Sequence, residues 1–256
     1  MESDVLQCYE AMAGDYHLIF ADWKRGVVWQ GEVLDRLIRA QSVMSAVSVL
    51  DCSCGIGTQA IGLATRGYKV HATDISATSV ERAEQEAASF GVSVTFGVSD
   101  FRELTARVEG EFDVVLSCDN ALPHLSSDDD LLAAARNMRE KLHQGGLLLA
   151  SIRDYDHILS EKPGSTLPGV FDGPTGKRIA FQVWDWSSDG KSYQLHQFII
   201  TQLGQEWRTA HYTTHYRPIL REDLSRILAD AGFSDISWHM PEESGYYQPI
   251  VTARKR

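Results

Sequence analysis

No stretch of this 256-residue chain approaches the ~18 consecutive apolar residues that a membrane-crossing helix needs, so no membrane partner is expected. Basic charge is in short supply. Lys and Arg total 24 against 35 Asp and Glu, a net charge of −11. Such a surface repels a phosphate backbone on average, which disfavours a nucleic-acid partner. Cysteine is scarce too: Cys8, Cys52, Cys54 and Cys118 form no C-x-x-C pair. Free thiols in a reducing cytoplasm are the simplest reading. The start, Met1-Glu2-Ser3-Asp4, is acidic and lacks the pattern of a signal peptide, in keeping with a cytoplasmic protein. Repeats and low-complexity tracts are missing. At 43% hydrophobic content the chain can build one sizeable core with an insertion, and a homo-oligomer is left open.

The chain is organised around Ser48-Val49-Leu50-Asp51-Cys52-Ser53-Cys54-Gly55-Ile56-Gly57-Thr58. A short apolar run ends in an acid, a small-residue turn follows, and Ala60, Ile61, Leu63 and Ala64 then carry helical spacing. This reads as strand, turn, helix. Gly55 and Gly57 can take positive φ and let a ligand approach the backbone, and the helix points its positive end at the same place. A second strand, Lys69 to Asp74, ends in an acid seventeen residues after Gly57, suited to the hydroxyls of a ribose. The dinucleotide pattern G-x-G-x-x-G is broken because Ala60 stands where its third glycine would be. Asp51, an acid beside the turn, favours a cationic ligand over a pyrophosphate. Both points weigh against a nicotinamide oxidoreductase.

Asp51-Cys52-Ser53-Cys54-Gly55-Ile56-Gly57 resembles the first motif of class I S-adenosylmethionine-dependent methyltransferases, with Ser53 in place of its first glycine. Asp74 is similar to their ribose-binding acid, and Asp100-Phe101 to the pair that holds and covers the adenine. The likeness spans about residues 45 to 155, with several motifs in order. It implies an α/β, Rossmann-like fold: a mostly parallel seven-stranded sheet ending in an antiparallel hairpin. It also implies S-adenosylmethionine as cofactor, held by Trp29, Asp51, Cys52, Ser53, Gly55, Gly57, Asp74, Ile75, Asp100, Phe101 and Cys118. Trp29 either belongs to the core or covers the methionine end of the cofactor.

Strands are expected near 47–51, 69–74, 93–97, 112–117 and 146–152, with helices near 58–65, 77–90, 101–107 and 128–142 between them. Before them, Val27, Val28, Val33, Leu34, Leu37 and Ile38 mark a helix over 27–40. Residues 1–25 are either an amphipathic helix packed on the core or a lid, and Ala13-Gly14-Asp15-Tyr16 resembles the segment that closes over the sulfonium in small-molecule methyltransferases. Residues 157–176, rich in Pro and Gly, read as a loop. Three antiparallel strands are expected over 178–186, 193–202 and 206–218, the first two joined at Asp189-Gly190, as an aromatic-rich insert. Helix 221–231 and strands 235–239 and 248–253 close the chain. The organisation is then a lid and cofactor-binding core over 1–156, a substrate insert over 157–217, and the rest of the core over 218–256.

Asn120-Ala121-Leu122-Pro123-His124-Leu125 resembles a loop of the glycine N-methyltransferases. Arg153-Asp154-Tyr155-Asp156 resembles another of their stretches, whose arginine grips an amino-acid carboxylate. Ile152 and Asp154 depart from that pattern. Arg153 at a strand end suits a bidentate carboxylate contact, or else it pairs with Asp154, Asp156 or another acid. The resemblance marks Tyr16, Asn120, His124, Arg153 and Tyr155 as catalytic candidates, His124 either as a base or as a structural side chain. No dyad or triad is recognisable, and methyl transfer needs none, because alignment does most of the work. No metal site is expected: the spacing of Asp119, Asp154 and Asp156 matches no known loop. The expected reaction is methylation of a small molecule at an amine or amino-acid-like nitrogen. The alternatives are an aromatic acceptor methylated at carbon, nitrogen or oxygen, and a non-catalytic S-adenosylmethionine-binding protein.

Overall fold

Hydrophobic alternation along five short runs builds a sheet whose two faces are both covered. The computed structural model describes residues 2–41, 47–173 and 176–256. Its strands β1 (Ser48–Asp51), β2 (Lys69–Asp74), β3 (Val94–Val98), β4 (Phe112–Ser117) and β5 (Leu142–Ser151) lie parallel in the order β3-β2-β1-β4-β5. The antiparallel pair β10 (Phe233–His239) and β11 (Ile250–Lys255) adds to β5 and completes seven strands. Leu50, Val115, Leu148 and Ala150 point to one face, with Leu131 and Met138 of α6 (Asp128–Glu140) and Leu224 and Ile227 of α8 (Arg221–Asp230). Val49, Val114, Leu116 and Leu149 point to the other, with Val33, Leu34 and Ile38 of α2 (Trp23–Gln41) and Ala60 and Leu63 of α3 (Thr58–Ala64). Helix α4 (Ala77–Phe90) is capped by Ser76, α6 by Ser127, and each side chain accepts from the backbone three residues on.

Strand order reverses between β1 and β4. Two strands follow β1 on one side and β4 opens the other, so the loops after these two strands diverge and leave a crevice at their carboxyl ends. The Asp51–Thr58 turn and the Cys118–Leu125 loop both border it.

The insert differs from expectation. It has four strands, β6 (Gly169–Gly173), β7 (Gly176–Trp186), β8 (Tyr193–Leu203) and β9 (Glu206–Tyr216), antiparallel in that order. Tyr155–Glu161 forms α7, which runs into the stretch expected as a loop and whose N-cap Asp154 accepts from the His157 backbone; inside that stretch β6 pairs along β7. The glycines that read as punctuation bound a short edge strand instead, which pairs with the start of β7 just after it in the chain. Pro174, part of that expected loop, lies outside the described residues. The Asp189-Gly190 turn joins β7 to β8 as expected, with Gly190 at φ 67°. The inner face, with Trp184, Tyr193, Leu195 and Tyr216, continues the core.

Other boundaries move for local reasons. The helix expected over 101–107 shrinks to α5 (Leu104–Arg107) because the Asp100 carboxylate binds the Arg102 backbone and holds a turn. Strand β5 starts early, at Leu142, with a register shift opposite Phe112 and Gly145 at φ 81°. No helix among the described residues is long and apolar enough to cross a membrane.

Helices α2 and α3 touch backbone to backbone. A Cβ on Gly31 would stand 2.5 Å from the Gly62 carbonyl, and one on Gly62 would stand 2.5 Å from the Val27 oxygen. Neither neighbour is a side chain that can swing away. Gly62→Ala is therefore expected to destabilise the protein by about 1–3 kcal/mol or more, read as a lower urea midpoint. An unchanged midpoint would mean that these helices pack more loosely than described.

Candidate active site

The turn after β1 is tied on both sides before any ligand arrives. Cys52 donates its N–H to the Leu116 carbonyl of β4, and Cys54 donates to the Thr73 carbonyl of β2. Ser53 and Ser117 hydroxyls meet at 2.9 Å. Gly55 and Gly57 have φ of 51° and 93°, a region L side chains rarely adopt. A Cβ on Gly55 would meet nothing within 4 Å, so this face of the turn is open. Asp74 at the end of β2 accepts from the Gly55 N–H at 2.8 Å and the Ser76 N–H at 2.9 Å, one to each oxygen.

One cavity follows this turn, and it gathers ten of the expected residues: Tyr16, Cys52, Ser53, Gly55, Asp74, Ile75, Asp100, Phe101, Cys118 and His124. Asp100 is held from one side by the Arg102 guanidinium, at 2.5 Å between Oδ2 and Nη2. Asp51 and Gly57 stand behind the wall. Asp51 is fully buried, its Oδ1 accepts from the Ser53 N–H at 3.3 Å, and its Oδ2 has no partner. Burial, with help from Asp74 and Asp119, pushes its carboxyl up to about 8. Burial likewise raises Asp74 and Asp119 above the ordinary carboxylate range. Trp29 is not part of the cavity wall. It lies on the surface of α2 with its ring stacked 6.0 Å from Tyr246. The four cysteines are buried free thiols.

A second cavity of about 510 Å³ adjoins the first, and Tyr9, Tyr16 and Asp119 line both. Arg153 projects into it from the end of β5. Its Nη1 donates to the Tyr193 hydroxyl at 3.0 Å and its Nη2 to Gln182 Oε1 at 3.2 Å, with the Trp184 and Tyr216 rings 4.8 and 5.2 Å away. The expected alternative of an ion pair with its neighbours is ruled out. Asp154 and Asp156 pair with Arg221 instead, at 2.6 and 3.5 Å. Among the described residues, Arg153 thus meets only neutral groups.

Asn120 and Tyr155, both expected at the reacting centre, are buried and line neither cavity. Asn120 Oδ1 accepts from the Arg153 N–H at 3.0 Å, and its amide donates to the Tyr155 hydroxyl at 3.0 Å. Tyr155 in turn meets the Tyr193 hydroxyl at 2.9 Å. These two residues fix where Arg153 stands. His124 lines the first cavity with both ring nitrogens engaged: Nδ1 lies 2.9 Å from the His215 carbonyl and Nε2 2.8 Å from the Tyr9 hydroxyl. A carbonyl can only accept, so Nδ1 carries the proton and Nε2 accepts from Tyr9. Burial lowers the imidazole to about 4, so it is neutral.

Tyr9, Tyr246 and Tyr247 were not expected at the site. Tyr9 comes from α1 (Glu2–Met12), and its partner His124 is 115 residues away, which no local pattern signals. Tyr246 and Tyr247 both bond Asp119 Oδ1, Tyr246 at 2.6 Å. Residues 4–20 combine the two roles offered for the start of the chain. Cys8, Met12 and Ala13 are buried, while Tyr9 and Tyr16 face the cavities. The segment is strapped to the insert through Asp15 and Tyr212 at 2.7 Å, and to α4 through Glu10 and Thr78.

The residues fit a cationic, nucleoside-bearing ligand. Asp51, Asp74 and Asp119 have no basic partner among the described residues, and a buried carboxylate oxygen is left unpartnered. A positive charge in the first cavity relieves all three.

Comparison with known proteins agrees. Residues 49–146 match the family model described as a methyltransferase domain. The chain is 30% identical over 225 residues to a glycine/sarcosine N-methyltransferase of Parasynechococcus marenigrum, covering 84% of this chain and 72% of that one. Its fold matches an S-adenosylmethionine-dependent methyltransferase of Clostridium acetobutylicum with a TM-score of 0.73 at 17% identity, covering 96% and 98% of the two chains. It also matches an amino pentose methyltransferase of Micromonospora echinaspora, solved with S-adenosylmethionine bound, with a TM-score of 0.72 at 19% identity over 91% and 93%.

Asp51 makes stability depend on pH in a definite direction. Its folded-state carboxyl titrates at about 8, above the ordinary value of 3.8 it has when unfolded. Its protonated form therefore stabilises the fold fully below pH 4, and that contribution is lost as pH rises through 8. The loss is on the order of 5 kcal/mol for a shift this large. Asp51→Asn is expected to match the wild type near pH 4 and to exceed it in melting temperature at pH 8.5, measured without ligand. Parallel melting curves across that range would refute the assignment.

Proposed function

The chain belongs to the class I S-adenosylmethionine-dependent methyltransferases, and on that premise we propose that it methylates the nitrogen of a small, carboxylate-bearing amine. The cofactor supplies a methyl group already activated by a positive sulfur. The chain's task is to hold, align and dry the reactants, and effective concentration can supply ~7–11 kcal/mol of such a barrier.

Each group then has a part. Asp74 keeps lone pairs on both oxygens after binding Gly55 and Ser76, and it would receive the ribose hydroxyls there. Ile75 and Phe101, which line the first cavity, would flank the base, and the open face of Gly55 would let the cofactor lie against the backbone. Asp51 balances positive charge from behind the turn. Tyr9 and Tyr16, lining both cavities, stand at the passage between donor and acceptor and exclude water from it. His124, neutral and doubly bonded, holds Tyr9 in place rather than moving a proton.

The observation that carries the acceptor reading is Arg153. A guanidinium whose partners among the described residues are a phenol, an amide and two aromatic faces is a cation waiting for an anion, and its planar fork matches a carboxylate. The glycine/sarcosine N-methyltransferase likeness supports nitrogen as the accepting atom. The aromatic insert favours a purely aromatic acceptor less than the sequence alone implied. Trp184, Tyr193 and Tyr216 stack on one another at 4.7 and 5.4 Å, and two of them floor the guanidinium.

A mass-spectrometric methylation screen over amino acids, plain amines and neutral aromatics tests this reading. The expected product is N-methylated and carries a carboxylate. With that substrate, Arg153→Lys is expected to raise KM tenfold or more, since a charge-assisted bond contributes roughly 1.5–3 kcal/mol, and to leave S-adenosylmethionine affinity unchanged. Best turnover on an acceptor without a carboxylate, or an unaltered KM, would contradict it.

A further inference from the structure

Asp119 is the charged member of the wall between the two cavities. Three residues line both: Tyr9, Tyr16 and Asp119. The chain places Asp119 and Asn120 consecutively in the left-handed region, at φ 58° and 68°. Backbone of this kind costs on the order of 1–3 kcal/mol per residue and persists where surrounding contacts enforce it. Here those contacts are visible. The Asp119 N–H donates to Ser151 Oγ at 2.8 Å and the Asn120 N–H to the Ser151 carbonyl at 3.2 Å. The Tyr246 and Tyr247 hydroxyls converge on Oδ1, and the Gln30 and Gln59 amides stand behind the Tyr246 hydroxyl at 2.7 and 3.4 Å. The carboxylate is thus aimed by its neighbours, and no Lys, Arg or His among the described residues pairs with it.

Resting on the amine-acceptor reading above, we propose that Asp119 holds the acceptor's ammonium group and takes its proton. An aliphatic amine is an ammonium ion at neutral pH and has no lone pair to offer. One N–H bond must break first, its electrons staying on nitrogen as the lone pair and the proton passing to an oxygen of Asp119. Neither Tyr9 nor Tyr16 can receive it as a phenolate, because burial pushes both phenols well above their ordinary range. His124 lines only the first cavity, and its free lone pair is occupied by Tyr9. The buried setting raises the proton affinity of Asp119 itself, which suits a base.

The same cavity carries Arg153, so it presents an anion and a cation to one guest. That pair reads a zwitterion, and about 510 Å³ is far more than glycine fills. Met12, Ile19, Phe181 and Leu195 add apolar wall. The acceptor class is an amino acid with a large apolar side chain.

Calorimetry on the full chain saturated with S-adenosylhomocysteine tests this without turnover. The probes are L-phenylalanine, 2-phenylethylamine, which lacks the carboxylate, and 3-phenylpropanoate, which lacks the amine. The wild type is expected to bind phenylalanine more tightly than either partial analogue or glycine. Asp119→Asn keeps an acceptor oxygen for both phenols and tolerates the backbone angle. It is expected to lose tenfold or more for phenylalanine and phenylethylamine and less than twofold for phenylpropanoate. Arg153→Lys is expected to give the converse pattern. Asp119→Gly, which relieves the backbone, repeats the test should the first variant fold poorly. An equal loss on all three probes, or no loss on any, makes Asp119 structural and overturns the proposal. Failure of phenylalanine to bind the wild type overturns the substrate class. A methylation product on oxygen or carbon sinks the amine reading instead, and the binding pattern tells the two failures apart.

Discussion

A carboxylate sealed at the end of the central strand, with one oxygen unpartnered, sets the terms for the whole crevice. Asp51 cannot be ionised there cheaply, and Asp74 and Asp119 stand close enough to oppose its charge further. Proteins rarely leave such a group unless something else neutralises it. A cationic ligand in the first cavity would let it ionise, which would make binding and stability two sides of one constraint. The reversal of strand order between β1 and β4 puts this carboxylate just behind the floor of the crevice.

Across the wall the sign changes. Arg153 is a cation among neutral groups, held by Tyr193 and Gln182 and fixed at its backbone by Asn120. The insert and the first helix make this possible. The insert supplies the phenol, the amide and the aromatic floor, while α1 closes the open side with Tyr9. Removing either would leave the guanidinium in water, where a carboxylate gains little by binding it. The architecture therefore sorts charge: negative around the first cavity, positive at the far end of the second, with Asp119 and two phenols between.

Much of this was legible in the sequence because it is local. The Asp51–Thr58 turn, Asp74 at a strand end and Arg153 after β5 follow from residue type and spacing. The fold class follows from the alternation of strands and helices. What was missed depends on long-range partners. Asn120 and Tyr155 sit at the right loops but face each other in the interior, and no spacing tells an inward amide from one facing the cavity. Trp29 falls on the solvent side of its helix. Tyr9 and the Tyr246-Tyr247 pair reach the site from opposite ends of the chain. Strand β6 was hidden by its glycines, since an edge strand is defined by its neighbour more than by its own residues.

The central claim is that a cationic donor draws the proton off the carboxyl buried behind the turn. Calorimetry of S-adenosylmethionine binding at pH 7, in two buffers of different ionisation enthalpy, measures it directly. Asp51, which titrates at about 8, is largely protonated in the free protein at that pH. The account predicts release of a substantial fraction of a proton on binding S-adenosylmethionine, less on binding S-adenosylhomocysteine, whose sulfur is neutral, and none of that difference in Asp51→Asn. Equal proton release for the two ligands, or none for either, would contradict it.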